Sequence, residues 1–208
     1  MGHIKNVRPA SDMFNSVAGI KQFGPGVSMF RTRMDDMPRP GDFFLTHQKD
    51  RPWFPPAFAV IRLGQRLAYR GEKSRYAYWN HAGLFVHEDG ATVEALNSGV
   101  VSGHIGDYTP WEYTVVYMDM DDRDREQVSE YAIERIGDKY GWLVIANVAA
   151  RLLLPKGKLS YHVEGQDICS GLVANSLRAA GYTFEGYDPN RIMPADLAYL
   201  AGVDVPQL

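Results

Sequence analysis

The chain has 208 residues, 45% of them hydrophobic and 23% charged, with a net charge of −3 and a pI near 6.1. This is the composition of an ordinary globular protein, long enough for one domain with a real core and short for two. No basic cluster is interleaved with aromatics, so nothing points to nucleic acid, and a single cysteine excludes an internal disulfide framework and multi-cysteine zinc sites.

Taken in order, residues 1–40 read as an N-terminal extension and 41–208 as the main domain. Met1–Ala10 has no apolar core of the signal-peptide kind, so the expectation is a chain that is cytoplasmic as synthesised, with delivery in a virion or secretion assembly as the route outward. Asn6 rules out the Ser or Thr that myristoylation of Gly2 requires. Gly24-Pro25-Gly26 breaks the extension, and Arg31–Pro40 is charged and proline-closed. It is expected either to wrap the domain or to dock on a larger assembly.

Gly41–His47 reads as a strand entered through a Pro-Gly turn. Arg51–Pro56 is a proline-broken loop carrying Trp53 and Phe54, and Ala57–Tyr69 is expected to be helical. In the polar stretch Arg70–Asn80, the aromatics Tyr76, Tyr78 and Trp79 either line a cleft or pack inside. His81–Val86 alternates as a strand, with His81, Gly83 and Phe85 on one face. An Asp89-Gly90 pair predicts a two-residue hairpin turn, Thr92–Leu96 the returning strand, and Tyr113–Asp119 another, so the centre is an antiparallel sheet.

Asp121 or Asp122 is expected to cap a helix to about Tyr140, with Val128, Ala132, Ile136 and Tyr140 on one face and Gly141 as its stop. Trp142–Leu154 is an apolar run of 13 residues that includes Asn147 and Arg151, against the ~20 needed to span a bilayer. It is expected to be a buried or amphipathic helix. Pro155–Gln166 is turn-rich. From Leu172 to Ala180 the residues favour helix and Gly181 a stop, and a short helix begins near Ala195.

This places the lone Cys169 in or just before a first helical turn, where unpaired backbone N–H groups and the positive end of the helix dipole favour a thiolate. The alternative is a small buried hydrophobe. A thiolate nucleophile needs a base to hold its charge and to protonate a leaving group, and imidazole does both. Of six histidines, His81 has the best setting: it opens a strand, follows Asn80 and precedes the small Ala82-Gly83, which leave room for a helix terminus. His87 lies near the turn; His3, His47, His104 and His162 read as surface or locally bonded.

The imidazole in turn needs an orienting group. Glu94 interrupts an apolar strand on the face of His81, although a two-residue turn sets it across from Phe85, roughly 13 Å along the strand from His81. Twist or a bulge must close that gap; one bulged residue brings Asn97 across from His81 instead, and Asn97 is the second choice. A solvated edge carboxylate is the other reading of Glu94. No histidine spacing suits a metal, and no phosphate loop or Gly-x-Ser-x-Gly elbow is present.

Together Pro40-Gly41-Asp42, Asn80-His81-Ala82-Gly83-Leu84-Phe85, Val93-Glu94-Ala95 and Ile168-Cys169-Ser170-Gly171-Leu172-Val173 resemble the NlpC-type papain-like amidases. The order is that of their circularly permuted branch, which includes relatives of lecithin retinol acyltransferase: here the histidine strand precedes the cysteine by 88 residues. The resemblance, over about residues 40–200, implies an α+β permuted papain-like fold and a cofactor-free, metal-free cysteine hydrolase. Cys169 is then the nucleophile, its own N–H an oxyanion donor, His81 the base and acid, and Glu94 the third member. The Asp-x-Cys-Ser-Gly form is closer to peptidoglycan-cleaving members, which implies an amide bond in a cell-wall peptide as substrate. Two alternatives stay open: lipid acyl hydrolysis or transfer, with 142–154 and Trp53-Phe54 as an apolar entrance, and a structural part of a phage tail or secretion assembly docked through residues 1–40.

Overall fold

The structure, a computed structural model, describes residues 21–23, 37–47, 65–66, 69–108, 112–140, 166–184, 186–203 and 205. Five strands form one antiparallel sheet: β2 (Phe43–His47), β3 (His81–Phe85), β4 (Ala91–Leu96), β5 (Gly99–His104) and β6 (Glu112–Val116), in the order β5-β4-β3-β2-β6. With them, among the described residues, the helices α1 (Asp122–Glu134), α2 (Cys169–Ala179) and α3 (Pro194–Leu200) make the fold α+β. Short 3₁₀ turns span Gly71–Tyr78, Ile105–Tyr108 and Pro189–Arg191. Two small parallel pairings complete it: β1 (Lys21–Phe23) with β9 (Tyr182–Phe184), and β7 (Lys139–Tyr140) with β8 (Gln166–Asp167). Residues 21–23 of the N-terminal stretch thus join the body, while its remaining residues up to 36 lie outside the described ones.

The sheet's two faces bury different clusters. Ala82, Leu84, Val93 and Ala95 meet Leu172, Val173, Ala174 and Leu177 of α2, along with Val128 and Ala132 of α1 and Leu197 of α3. Phe44, Phe85 and Tyr108 form a second, smaller cluster. Every residue from Cys169 to Leu177 is buried, so α2 is enclosed on all sides, as its apolar and small side chains require. Each large apolar side chain buried there contributes about 1.5–3 kcal/mol.

Several sequence expectations change. The β3–β4 connection is not a two-residue turn: Leu84 pairs with Val93, Phe85 with Thr92, and Val86 N–H donates to the Ala91 carbonyl, leaving a four-residue loop, residues 87–90. The loop is held locally by the Asp89 carboxylate accepting from Ala91 N–H, and it receives Ile105 N–H at the Gly90 carbonyl. Helix α1 ends at Glu134 rather than near Tyr140. Its start is as expected, Asp121 accepting from Asp124 N–H at 2.8 Å. Beyond it Gly137 takes φ 98° and its N–H donates to the Val100 carbonyl, while Val100 N–H donates to Asp138, so sheet-edge bonds to β5 replace the last turns and Ile136 is left 45% exposed. Strand β5 itself had no strand signal in the sequence. Of the two readings of the aromatics in 70–80, packing holds: Tyr76 and Trp79 lie in the main core and Tyr78 packs against it.

A buried ion pair braces the start of the sheet. Arg125 of α1 donates to Asp42 at 3.0 Å and to the carbonyls of Pro40 and Met118, and Asp42 also accepts from the N–H groups of Arg39 and Met118. Among the described residues no helix is long and apolar enough to cross a membrane. The helix expected at 57–69 falls outside the described residues apart from the helical Gln65 and Arg66 and from Tyr69, which is not helical but donates its N–H to the Gln65 carbonyl, and the run 142–154 falls wholly outside them.

Candidate active site

His81 is the first residue of β3 and pairs across from Thr46 of β2. The β3–β4 register sets Glu94 across from Gly83, two residues nearer His81 than a two-residue turn would have put it. Because strand side chains alternate with period two, the shift of two keeps Glu94 on the His81 face. No bulge is needed. His81 Nε2 lies 2.8 Å from Glu94 Oε2, with both residues buried.

Gly83 is what makes room. A Cβ there would stand 2.5 Å from two ring carbons of Phe44 and 2.8 Å from Glu94 Cγ; on the other side, one at Gly103 would stand 2.8 Å from Glu94 Oε1. The space at Gly83 therefore serves Phe44 and Glu94, while Ala82 packs in the core with Leu172 and Val173 of α2. Glu94 accepts two further hydrogen bonds, from Thr92 Oγ1 at 2.8 Å and from the Tyr108 hydroxyl. With β4 between β3 and β5 and the residue 2% exposed, Glu94 is not the solvated edge carboxylate of the alternative reading.

Cys169 is the first residue of α2, after Ile168 in extended conformation (φ −96°, ψ 157°). At that position its N–H has no acceptor within the helix. Its side chain is 1% exposed, and its charge bears on the His81 ring. With Nε2 on Glu94, Nδ1 is the ring nitrogen turned away from the carboxylate. The ring is held from its faces and edges too: Tyr108 stacks nearly parallel, with centroids 6.0 Å apart and 16° between planes, and Phe44 meets it edge-on at 6.3 Å.

The chain matches no protein-family model and no curated protein.

The charges of the site are coupled. Burial pushes the His81 pKa down, but hydrogen bonds and charge from Cys169 and Glu94 outweigh it and lift the pKa to about 9. For Glu94, burial pushes up while His81, Tyr108 and Thr92 pull down, and the carboxyl stays below its usual range. The Tyr108 phenol is raised, by burial first and then by the Glu94 carboxylate beside it. An ionised Glu94 can only accept, so Nε2 carries a proton and Nδ1 is the site that exchanges one. Chemically, the arrangement can take a proton from a thiol, hold it on a ring whose orientation is fixed, and hand it on.

Asn97 is not the orienting group. It lies in the turn from β4 to β5, with its Nδ2 buried and without a hydrogen-bond partner, while Glu94 occupies the position on His81. His87 points outward beside Asp89, with a side chain 69% exposed. His104 bonds locally to the Asp89 carbonyl and Gly106 N–H, and His47 to the Tyr78 carbonyl. His3 and His162 lie outside the described residues. Among the described residues no three His, Cys, Asp or Glu side chains come together in a way that could hold a metal.

Thr92 and Tyr108 were missed from sequence. Thr92 carried a signal, being two residues from Glu94 on the same strand face. Tyr108 carried none, since it sits in a 3₁₀ turn after an unforeseen strand.

Proposed function

We propose that this protein is a cysteine hydrolase that cleaves an amide bond through a thioester on Cys169, with a permuted papain-like arrangement resembling the NlpC-type amidases. The observation that carries this reading is the buried His81 imidazole held on Nε2 by the Glu94 carboxylate, with Cys169, the chain's one cysteine, at the start of α2 and acting electrostatically on the same ring.

The reaction follows from those positions. Near neutral pH the His81 ring is already an imidazolium, with the proton from the thiol resting on Nδ1, so Sγ bonds to the carbonyl carbon directly, and the oxygen that gains the electron pair is met by the backbone N–H of Cys169. Collapse of this adduct breaks the C–N bond, His81 giving its proton to the departing amine. Water then adds to the thioester, with His81 taking its proton and returning it to sulfur as the acid leaves. Glu94 holds the ring in the tautomer that places the lone pair toward sulfur and stabilises the imidazolium between the two transfers. Because Cys169 is 1% exposed, turnover begins with neighbouring side chains moving aside.

The peptide substrate class rests on the resemblance of the Asp167–Gly171 motif, and the test separates it from lipid. The full chain is incubated with muropeptides and, in parallel, with phosphatidylcholine vesicles, and products are read by mass spectrometry with and without hydroxylamine, which releases a thioester as a hydroxamate. A new amine and acid from the peptide, an acyl-enzyme on Cys169, and loss of both in Cys169→Ala with unchanged circular dichroism are expected. Equal turnover by Cys169→Ala would remove the nucleophile, and fatty-acid release alone would replace the substrate class.

A further inference from the structure

We infer that Tyr108 is the positioning residue of this site, its hydroxyl fixing the Glu94 oxygen on which the His81 imidazole turns. The inference rests on the proposed function and deepens it.

Tyr108 and His81 donate to the same oxygen, Oε2, while Thr92 holds Oε1 at 2.8 Å. One oxygen fixed from two directions and its partner from a third leave the carboxylate no freedom to rotate. Tyr108 reaches it from an element that carries none of the other three groups, the turn Ile105–Tyr108, which is tied to the β3–β4 loop through Ile105 N–H and the Gly90 carbonyl. The ring is 5% exposed and anchored against Phe44 at 5.0 Å, and it lies almost parallel to the imidazole. One side chain therefore sets both the plane of the imidazole and the point to which its Nε2–H is directed.

A donor placed on that oxygen has a definite electrostatic effect. It spreads the negative charge of Glu94, keeping the buried carboxylate ionised, and it competes with His81 for the same lone pairs. That competition restrains how strongly Glu94 favours the imidazolium. The titratable groups bearing on the pair are Cys169 from α2 and Glu94 from β4, with Asp107 acting on Tyr108. Removal of the hydroxyl with the ring retained should therefore raise the His81 titration midpoint, and a more acidic phenol should lower it.

The test is substrate-free. His81 is followed by long-range ¹H–¹⁵N NMR across pH in the labelled full chain, with its signals assigned from His81→Gln. Tyr108→Phe is expected to move the midpoint up by about 0.5–1 unit, a roughly 3–10-fold gain in proton affinity. Difluorotyrosine at position 108, which keeps the shape and strengthens the donor, is expected to move it down, and it carries the test if the phenylalanine variant does not fold. A midpoint unmoved in both, or moved in the opposite sense, overturns the inference, since a merely structural tyrosine would change thermal stability alone. With muropeptide, Tyr108→Phe is expected to lose about tenfold in kcat at unchanged KM, because Tyr108 acts through Glu94 and His81. Midpoints that move in a protein with no amidase activity would leave the network standing and remove the proposed function; amidase activity with unmoved midpoints would do the reverse.

Discussion

Replacing Glu94 by glutamine isolates the charge of the site. The shapes are alike, and the three donors at Glu94 are His81 and Tyr108 on Oε2 and Thr92 on Oε1. The amide can place its oxygen at the Oε2 position and its NH₂ toward Thr92, whose hydroxyl rotates to accept. Geometry is thus kept, and what is lost is the charge-assisted part of two buried bonds, worth about 1–1.5 kcal/mol each, or roughly 2–3 kcal/mol together. The same figure follows from proton affinity: loss of an adjacent carboxylate lowers a histidine pKa by about 1–3 units, or ~1.4–4 kcal/mol.

The pH dependence has a fixed sign. His81 is raised from 6.5 to about 9 on folding, so the stability it contributes is fully present below 6.5 and is lost as pH rises through about 9. Urea unfolding of Glu94→Gln followed by tryptophan fluorescence should therefore show the larger deficit near pH 6 and a smaller one near pH 10, with the His81 midpoint displaced downward. Equal deficits at the two pH values, or a midpoint still near 9, would refute the coupling.

Three other outcomes follow from the structure. In Gly83→Ala the new methyl meets Phe44 at 2.5 Å and Glu94 Cγ at 2.8 Å, so calorimetry should show a loss of about 1–3 kcal/mol, and displacement of Glu94 should lower hydrolysis with it; wild-type stability would contradict the β3–β4 register. Arg125→Met strands the 2%-exposed Asp42 without its cation, which should cost about 3–5 kcal/mol in denaturant titrations and change little in ~1 M salt, because the pair is buried. Cys169→Ala, changing one small buried side chain, should abolish acyl-enzyme formation while costing about 1 kcal/mol of stability or less.

What the sequence by itself determined is what depends on neighbours in the chain. The start of α2 at Cys169, the Asp121 cap of α1 and the antiparallel strands around His81 and Glu94 all rest on local propensity, capping and alternation. The face of Glu94 was legible for the same reason: period two survives a register error of two residues. The register itself was not legible, because the 87–90 loop is held partly by Ile105, and neither was the early end of α1, where bonds from Gly137 and Asp138 to Val100 displace helical ones. Strand β5, weak in its own residues, is approached at Gly99 by Asp138 and at Gly103 by Glu94, closer than a Cβ would allow. Tyr108 depends on that strand in turn. Only the tertiary structure could bring its hydroxyl to Glu94, because a hydrogen bond between groups 14 residues apart leaves no periodic trace in sequence.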